Sequence, residues 1–200
     1  MSSLAHAHDW YVEARHRAFR LRDELIWEER AALALAMAFL TGAVAQVRIP
    51  LPYTPVPITG QVFAVLLSGA LLGAGYGALS QVFYIGLGAL GMPWFAGFSG
   101  GTAALFGPSG GYIIGFIPAA LLIGRVTEKW PAARRFLPLF ALMLLGVGII
   151  YLFGALQFSF VMHADLKSTL ALAVVPFIGV DLLKATLAAS LSAAILPKTK

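Results

Sequence analysis

Between Ile49 and Gly124 the chain carries no Asp, Glu, Lys or Arg. A run of this length without a charge cannot give each of its elements a solvated face, so it has to be buried in something larger than its own core. A lipid bilayer is the medium that fits, because a membrane helix takes roughly 20 apolar residues and the run accommodates three such helices with their connections. Its natural breaks are Gly73 to Gly75 and the stretch from Met92 to Gly111, both rich in residues that interrupt helices.

The rest of the chain repeats the pattern. Residues Ala31 to Val47 and Phe136 to Ala164 are also uncharged, and Ser168 to Pro197 contains only Asp181 and Lys184. Backbone polar groups in hydrocarbon must be satisfied within the segment, which leaves the helix as the spanning element for runs this apolar. We therefore expect an all-α, polytopic membrane protein with six transmembrane helices near 30–46, 58–73, 75–91, 110–125, 138–161 and 177–196. Composition agrees: 12% of residues are charged, against about 25% in soluble proteins, and the mean hydropathy is +0.84.

Six spans place both termini on one side, and the basic residues test that count. Eleven of the 14 Lys and Arg residues fall in the amino-terminal segment, in the connection from Arg125 to Arg135, or at Lys198 and Lys200. Arg48 and Lys167 fall on the opposite side. By the positive-inside rule the termini are cytoplasmic and the protein is multi-pass in the cell membrane. The basic balance thus reads as topology, and nucleic acid is not expected as a partner.

Residues 1–29 form a separate charged extension before the 30–200 membrane domain. Trp10, Ala14, Ala18, Leu21 and Leu25 recur at helical spacing, with Glu13/Arg17 and Arg20/Glu24 as i,i+4 pairs. Two readings stand open: an amphipathic helix on the cytoplasmic membrane surface, and a plain solvated extension. His6 and His8 lack further ligands for a metal site.

The function classes narrow quickly. With no cysteine, thiolate metal sites and thiol nucleophiles are excluded. No HExxH, GxSxG, phosphate-binding GK[ST] or GxGxxG motif is present, so no catalytic residue, metal site or cofactor is expected. Inside the spans the notable polar groups are Gln61, Tyr84, Tyr112, Asp181 and Lys184. Asp181 and Lys184 stand three apart on a helix, hence on one face, where each lowers the burial cost of the other. They either neutralise each other against a neighbouring helix or face a polar cavity that takes a ligand.

The segment from Met92 to Tyr112 alternates aromatics (Trp94, Phe95, Phe98, Phe106) with glycines at 97, 100, 101, 107, 110 and 111. It reads as a re-entrant external loop between the third and fourth spans, covering an internal cavity, or as an interfacial aromatic belt. The first span opens with the small-residue pairs Ala32/Ala36 and Ala34/Ala38, which suit close helix packing either within the chain or with a partner subunit.

Taken together, Arg48-Ile-Pro-Leu-Pro-Tyr-Thr-Pro-Val-Pro-Ile-Thr59 with Gln61, Gly88-Ala-Leu-Gly-Met-Pro93, Phe95-Ala-Gly97, Phe106-Gly-Pro-Ser-Gly-Gly-Tyr112 and Asp181-Leu-Leu-Lys184 resemble the BioY family. These are the biotin-binding S components of energy-coupling factor (ECF) transporters. The resemblance implies a high-affinity biotin-binding subunit that takes its substrate from outside, with ATP hydrolysis in separate ATPase chains coupled through a transmembrane T component. It further implies that Asp181 and Lys184 hold polar groups of biotin and that Phe95, Gly97, Gly100, Gly101, Tyr84 and Tyr112 complete the pocket. The Ala32/Ala36 and Ala34/Ala38 face would meet the T component. A self-sufficient, homo-oligomeric biotin carrier and an S component for another small vitamin are the alternatives.

Overall fold

The computed structural model describes residues 24–198 together with Trp10, Glu13 and Arg17. The amino-terminal amphipathic pattern and the His6/His8 pair lie almost wholly outside the described residues. The elements are α1 (Trp27–Ala45), β1 (Arg48–Leu51), β2 (Thr54–Thr59), α2 (Gln61–Ala89), α3 (Thr102–Phe106), α4 (Gly110–Lys129), a 3-10 turn (Pro131–Arg134), α5 (Phe136–Met162), α6 (Leu166–Ala173) and α7 (Val175–Ile195). Among the described residues four helices, α2, α4, α5 and α7, are long and apolar enough to cross a membrane.

Helix α2 is two helices in one. At Gly73 the backbone takes φ 82 and ψ −175, a left-handed conformation open to glycine, and the chain folds back. The arms then run side by side: Gln81 Nε2 donates to Ser68 Oγ at 3.0 Å, and a Cβ added at Gly77 would lie 2.8 Å from Gly69 Cα. Residues eight apart along a straight helix would be separated by about 12 Å. The break expected between Gly73 and Gly75 is therefore a tight helical hairpin.

The chain is all-α in class, and one short element among its helices is extended. Residues 48–59 form an antiparallel hairpin, with Arg48 opposite Thr59, Ile49 opposite Ile58 and Leu51 opposite Thr54. Pro50, Pro52, Pro55 and Pro57 rule out a helix here and remove ladder donors, which a two-stranded ribbon made only of edges tolerates. The register is irregular between Ile49 and Leu51, next to Pro50. The hairpin also moves the start of the second helix from 58 to Gln61.

Fully buried Val65, Leu66, Phe116, Ile123, Leu139, Met143 and Ile150 pack α2, α4 and α5 against one another. Helix α7 turns a stripe of small residues, Ala185, Ala188, Ala189 and Ser192, to the same core. Asp181 continues that stripe. Between α5 and α7 the chain forms the short helix α6, whose first turn is capped by Asp165 accepting from the Ser168 amide at 3.0 Å. The Ser168 side chain first, and this amide with it, hold the Asp165 carboxyl below the usual carboxylate range.

Candidate ligand-binding cleft

The β-hairpin, the loop after α2, and helices α2, α4, α5 and α7 enclose a cleft whose empty space, counted to its mouth, is about 580 Å³. The hairpin supplies Val56, Pro57, Ile58 and Thr59; α2 supplies Gln61 and Val62; α4 supplies Tyr112, Ile113 and Phe116. Tyr151 of α5 and Phe177, Asp181 and Lys184 of α7 close the far wall.

The far wall is built around one carboxylate. Asp181 Oδ1 lies 2.6 Å from Lys184 Nζ, with the side chains 5% and 13% exposed. Asp181 Oδ2 accepts from the Tyr151 hydroxyl at 2.7 Å. An ionised carboxylate offers about four lone-pair sites and an ammonium three donors. Each oxygen therefore keeps acceptor capacity, Lys184 keeps donors, and both residues line the cleft. The arrangement suits a neutral polar ligand group that carries N–H donors beside a carbonyl.

Tyr112 stands next to this triad and is oriented from behind. Its hydroxyl donates to the Ala173 carbonyl at the end of α6, and its ring meets Phe177 edge-on, with centroids 6.2 Å apart. A Cβ at Gly154 would lie 2.5 Å from the ring, so the absence of a side chain on α5 makes room for it.

On the opposite wall, Thr59 Oγ1 donates to Gln61 Oε1 at 2.7 Å, and Gln61 Nε2 donates to the Tyr84 hydroxyl at 2.5 Å. Tyr84 is fully buried among Trp94, Phe95 and Phe116. It backs Gln61 and does not line the cleft. Phe95, 1% exposed, likewise lies in the core behind the cleft and borders a neighbouring hollow.

The loop after α2 is anchored at two glutamines. Gln46 Nε2 donates to the carbonyls of Trp94 and Phe95, both at 3.1 Å, and its Oε1 accepts from the Phe98 amide at 2.9 Å. Gln157 Nε2 donates to the carbonyls of Leu105 and Gly107 at 2.7 and 2.8 Å. Trp94 and Phe95 are driven inward, whereas Phe98 and Phe106 remain exposed.

Of the residues expected at the site, the structure gathers Asp181, Lys184 and Tyr112 on the cleft wall. Gly97, Gly100 and Gly101 do not line it; the loop reaches it through Ala96 and Ser109. The Gly101 amide donates to the Gly88 carbonyl at 2.7 Å. Tyr151 was not among the expected residues, nor was either anchoring glutamine. An isolated polar residue in an apolar run, which must find a partner, is the signal that marks all three. On α1, Ala34 and Ala38 are fully buried against the chain, while Ala32 and Ala36 are exposed.

The family model described as the BioY family matches residues 16–200. A biotin transporter BioY of Thermotoga maritima is 43% identical over 141 residues, covering 70% of this chain and 81% of the relative. A probable biotin transporter BioY of Pyrococcus horikoshii is 41% identical over 161 residues, covering 80% and 91%. Among solved structures, the S component for biotin from an ECF-type ABC transporter superposes with a TM-score of 0.77 at 28% identity, over 84% of this chain and 93% of that one. The fold is that of an ECF S component, in a membrane protein. By family match and by relatives at this identity, the chain belongs to the BioY family.

Proposed function

We propose that this chain is the biotin-capturing subunit of a biotin uptake transporter and that biotin occupies the cleft over Asp181. The observation that carries the reading is the triad of Lys184, Asp181 and Tyr151 in a cleft otherwise walled by aromatic and aliphatic groups. Biotin's ureido ring has two N–H donors flanking a carbonyl. The remaining acceptor positions of Asp181 meet the donors and Lys184 meets the carbonyl, while Tyr112, Phe116 and Phe177 cover the thioether bicycle. The names of the relatives support the same ligand.

In this reading the protein crosses the cell membrane six times, using α1, both arms of α2, α4, α5 and α7. Both termini are then cytoplasmic and the hairpin faces outward. It binds and presents substrate without catalysing a reaction. ATP hydrolysis and coupling belong to separate ATPase chains and a T component, and the T component meets the Ala32/Ala36 side of α1. Residues 30–200 are the binding domain, and residues 1–29 are an extension to it.

The test is ligand-dependent thermal unfolding of the detergent-purified chain. Biotin should raise the midpoint at micromolar concentration, since a ligand bound only by the folded state stabilises it by mass action. Thiamine and riboflavin should have no effect. A shift with either of these, or none with biotin, overturns the ligand assignment.

A further inference from the structure

A second hollow, about 820 Å³ of empty space, opens beside the cleft, and Arg48 is part of its rim. The two adjoin along Pro57, Ala96, Ser109 and Ile113, which border both. Arg48 sits directly opposite Thr59 in the hairpin ladder. Directly opposed residues of an antiparallel pair project to the same face, with Cβ atoms about 5 Å apart. Thr59 borders the cleft, so the ladder roots Arg48 beside a cleft residue, and its side chain lines the adjoining hollow.

The guanidinium is also laid down on the loop. A Cβ at Gly97 would fall 2.2 Å from Arg48 Nη1, and Gly97 has φ +75. Among the described residues no carboxylate lies within ion-pair distance of Arg48, and the ion pair closed by a nearby element is that of Lys184 with Asp181. The inner end of the site thus carries a neutralised pair and the outer end an unneutralised cation. A guanidinium presents a planar fork of donors that matches a carboxylate.

Resting on the biotin reading above, we propose that Arg48 binds the ligand's free carboxylate: the ligand spans both hollows, with its neutral polar ring at Asp181 and its anionic tail at Arg48. Arg48 is then the residue that selects an acid over its neutral derivatives.

The experiment is calorimetric titration of the full chain with biotin and with biotinamide, whose tail is uncharged and nearly isosteric. The wild type should bind biotin about ten-fold more tightly than the amide, the size of one partly exposed charge-assisted contact. Arg48→Gln should remove that preference by weakening biotin alone, and Arg48→Lys should restore most of it. Unchanged amide binding doubles as the control for folding. A preference that survives in Arg48→Gln, or an equal loss for both ligands, overturns the assignment of Arg48 while leaving biotin binding intact. Failure of the wild type to bind either compound overturns the biotin reading, and this inference with it.

Discussion

The Tyr151 hydroxyl donates to Asp181 Oδ2 at 2.7 Å, joining α5 to α7 across the cleft wall. With Lys184 on the other oxygen, the carboxylate is held from two sides and its remaining lone pairs are directed by its neighbours. Tyr151 therefore positions the group that we assign to the ligand. Tyr151→Phe is expected to weaken biotin by about ten-fold, since a hydrogen bond to a charged group contributes roughly 1.5–3 kcal/mol. Calorimetric affinities of the variant and wild type check this; equal affinities would remove Tyr151 from the site.

Asp181→Asn and Lys184→Ala should each reduce biotin affinity by tens-fold or more and also lower the unfolding midpoint, because each strands a buried partner. The double variant Asp181→Leu/Lys184→Met replaces both charges with apolar groups. It should recover thermal stability and still fail to bind biotin. Recovery of binding in the double variant would show that the pair serves the fold and not the ligand.

Gln46 connects α1 to the loop through Trp94, Phe95 and Phe98. Gln46→Leu leaves two carbonyls and an amide without that partner, so the loop should open more often. Hydrogen exchange over residues 92–101 is expected to speed up by at least ten-fold, with biotin affinity reduced to a lesser degree. Unaltered exchange would mean that Trp94 and Phe95 hold the loop by burial alone.

The alanine pairs of α1 should separate cleanly. Ala34→Leu or Ala38→Leu forces added volume into a packed interface and should cost about 1–3 kcal/mol of stability. Ala32→Leu with Ala36→Leu, on the exposed side, should leave stability and biotin binding unchanged and abolish co-purification with the T component. Intact assembly in that variant would place the partner surface elsewhere.

These contrasts show what could be read from the residues alone. The apolar runs fixed by membrane thickness are legible because hydrocarbon imposes one length scale. The i,i+3 spacing of Asp181 and Lys184 is legible because one helix carries both. Tyr151 is not, because its partner lies 30 residues away on another helix, and no local period links the two. The hairpin was hidden by prolines, which weaken every strand signal at once. The glycines of the loop suggested a backbone cradle, yet the Phe95, Phe98 and Gly101 amides are engaged with Ser99, Gln46 and Gly88.

The central claim is that the cleft over Asp181 takes biotin without help from any partner. Calorimetric titration of biotin into the purified chain alone, beside the Asp181→Asn variant, tests it most directly. The account predicts one-to-one, sub-micromolar binding to the wild type and a loss of tens-fold or more in the variant. Equal binding by both proteins would contradict it, as would well-folded wild-type protein that binds no biotin.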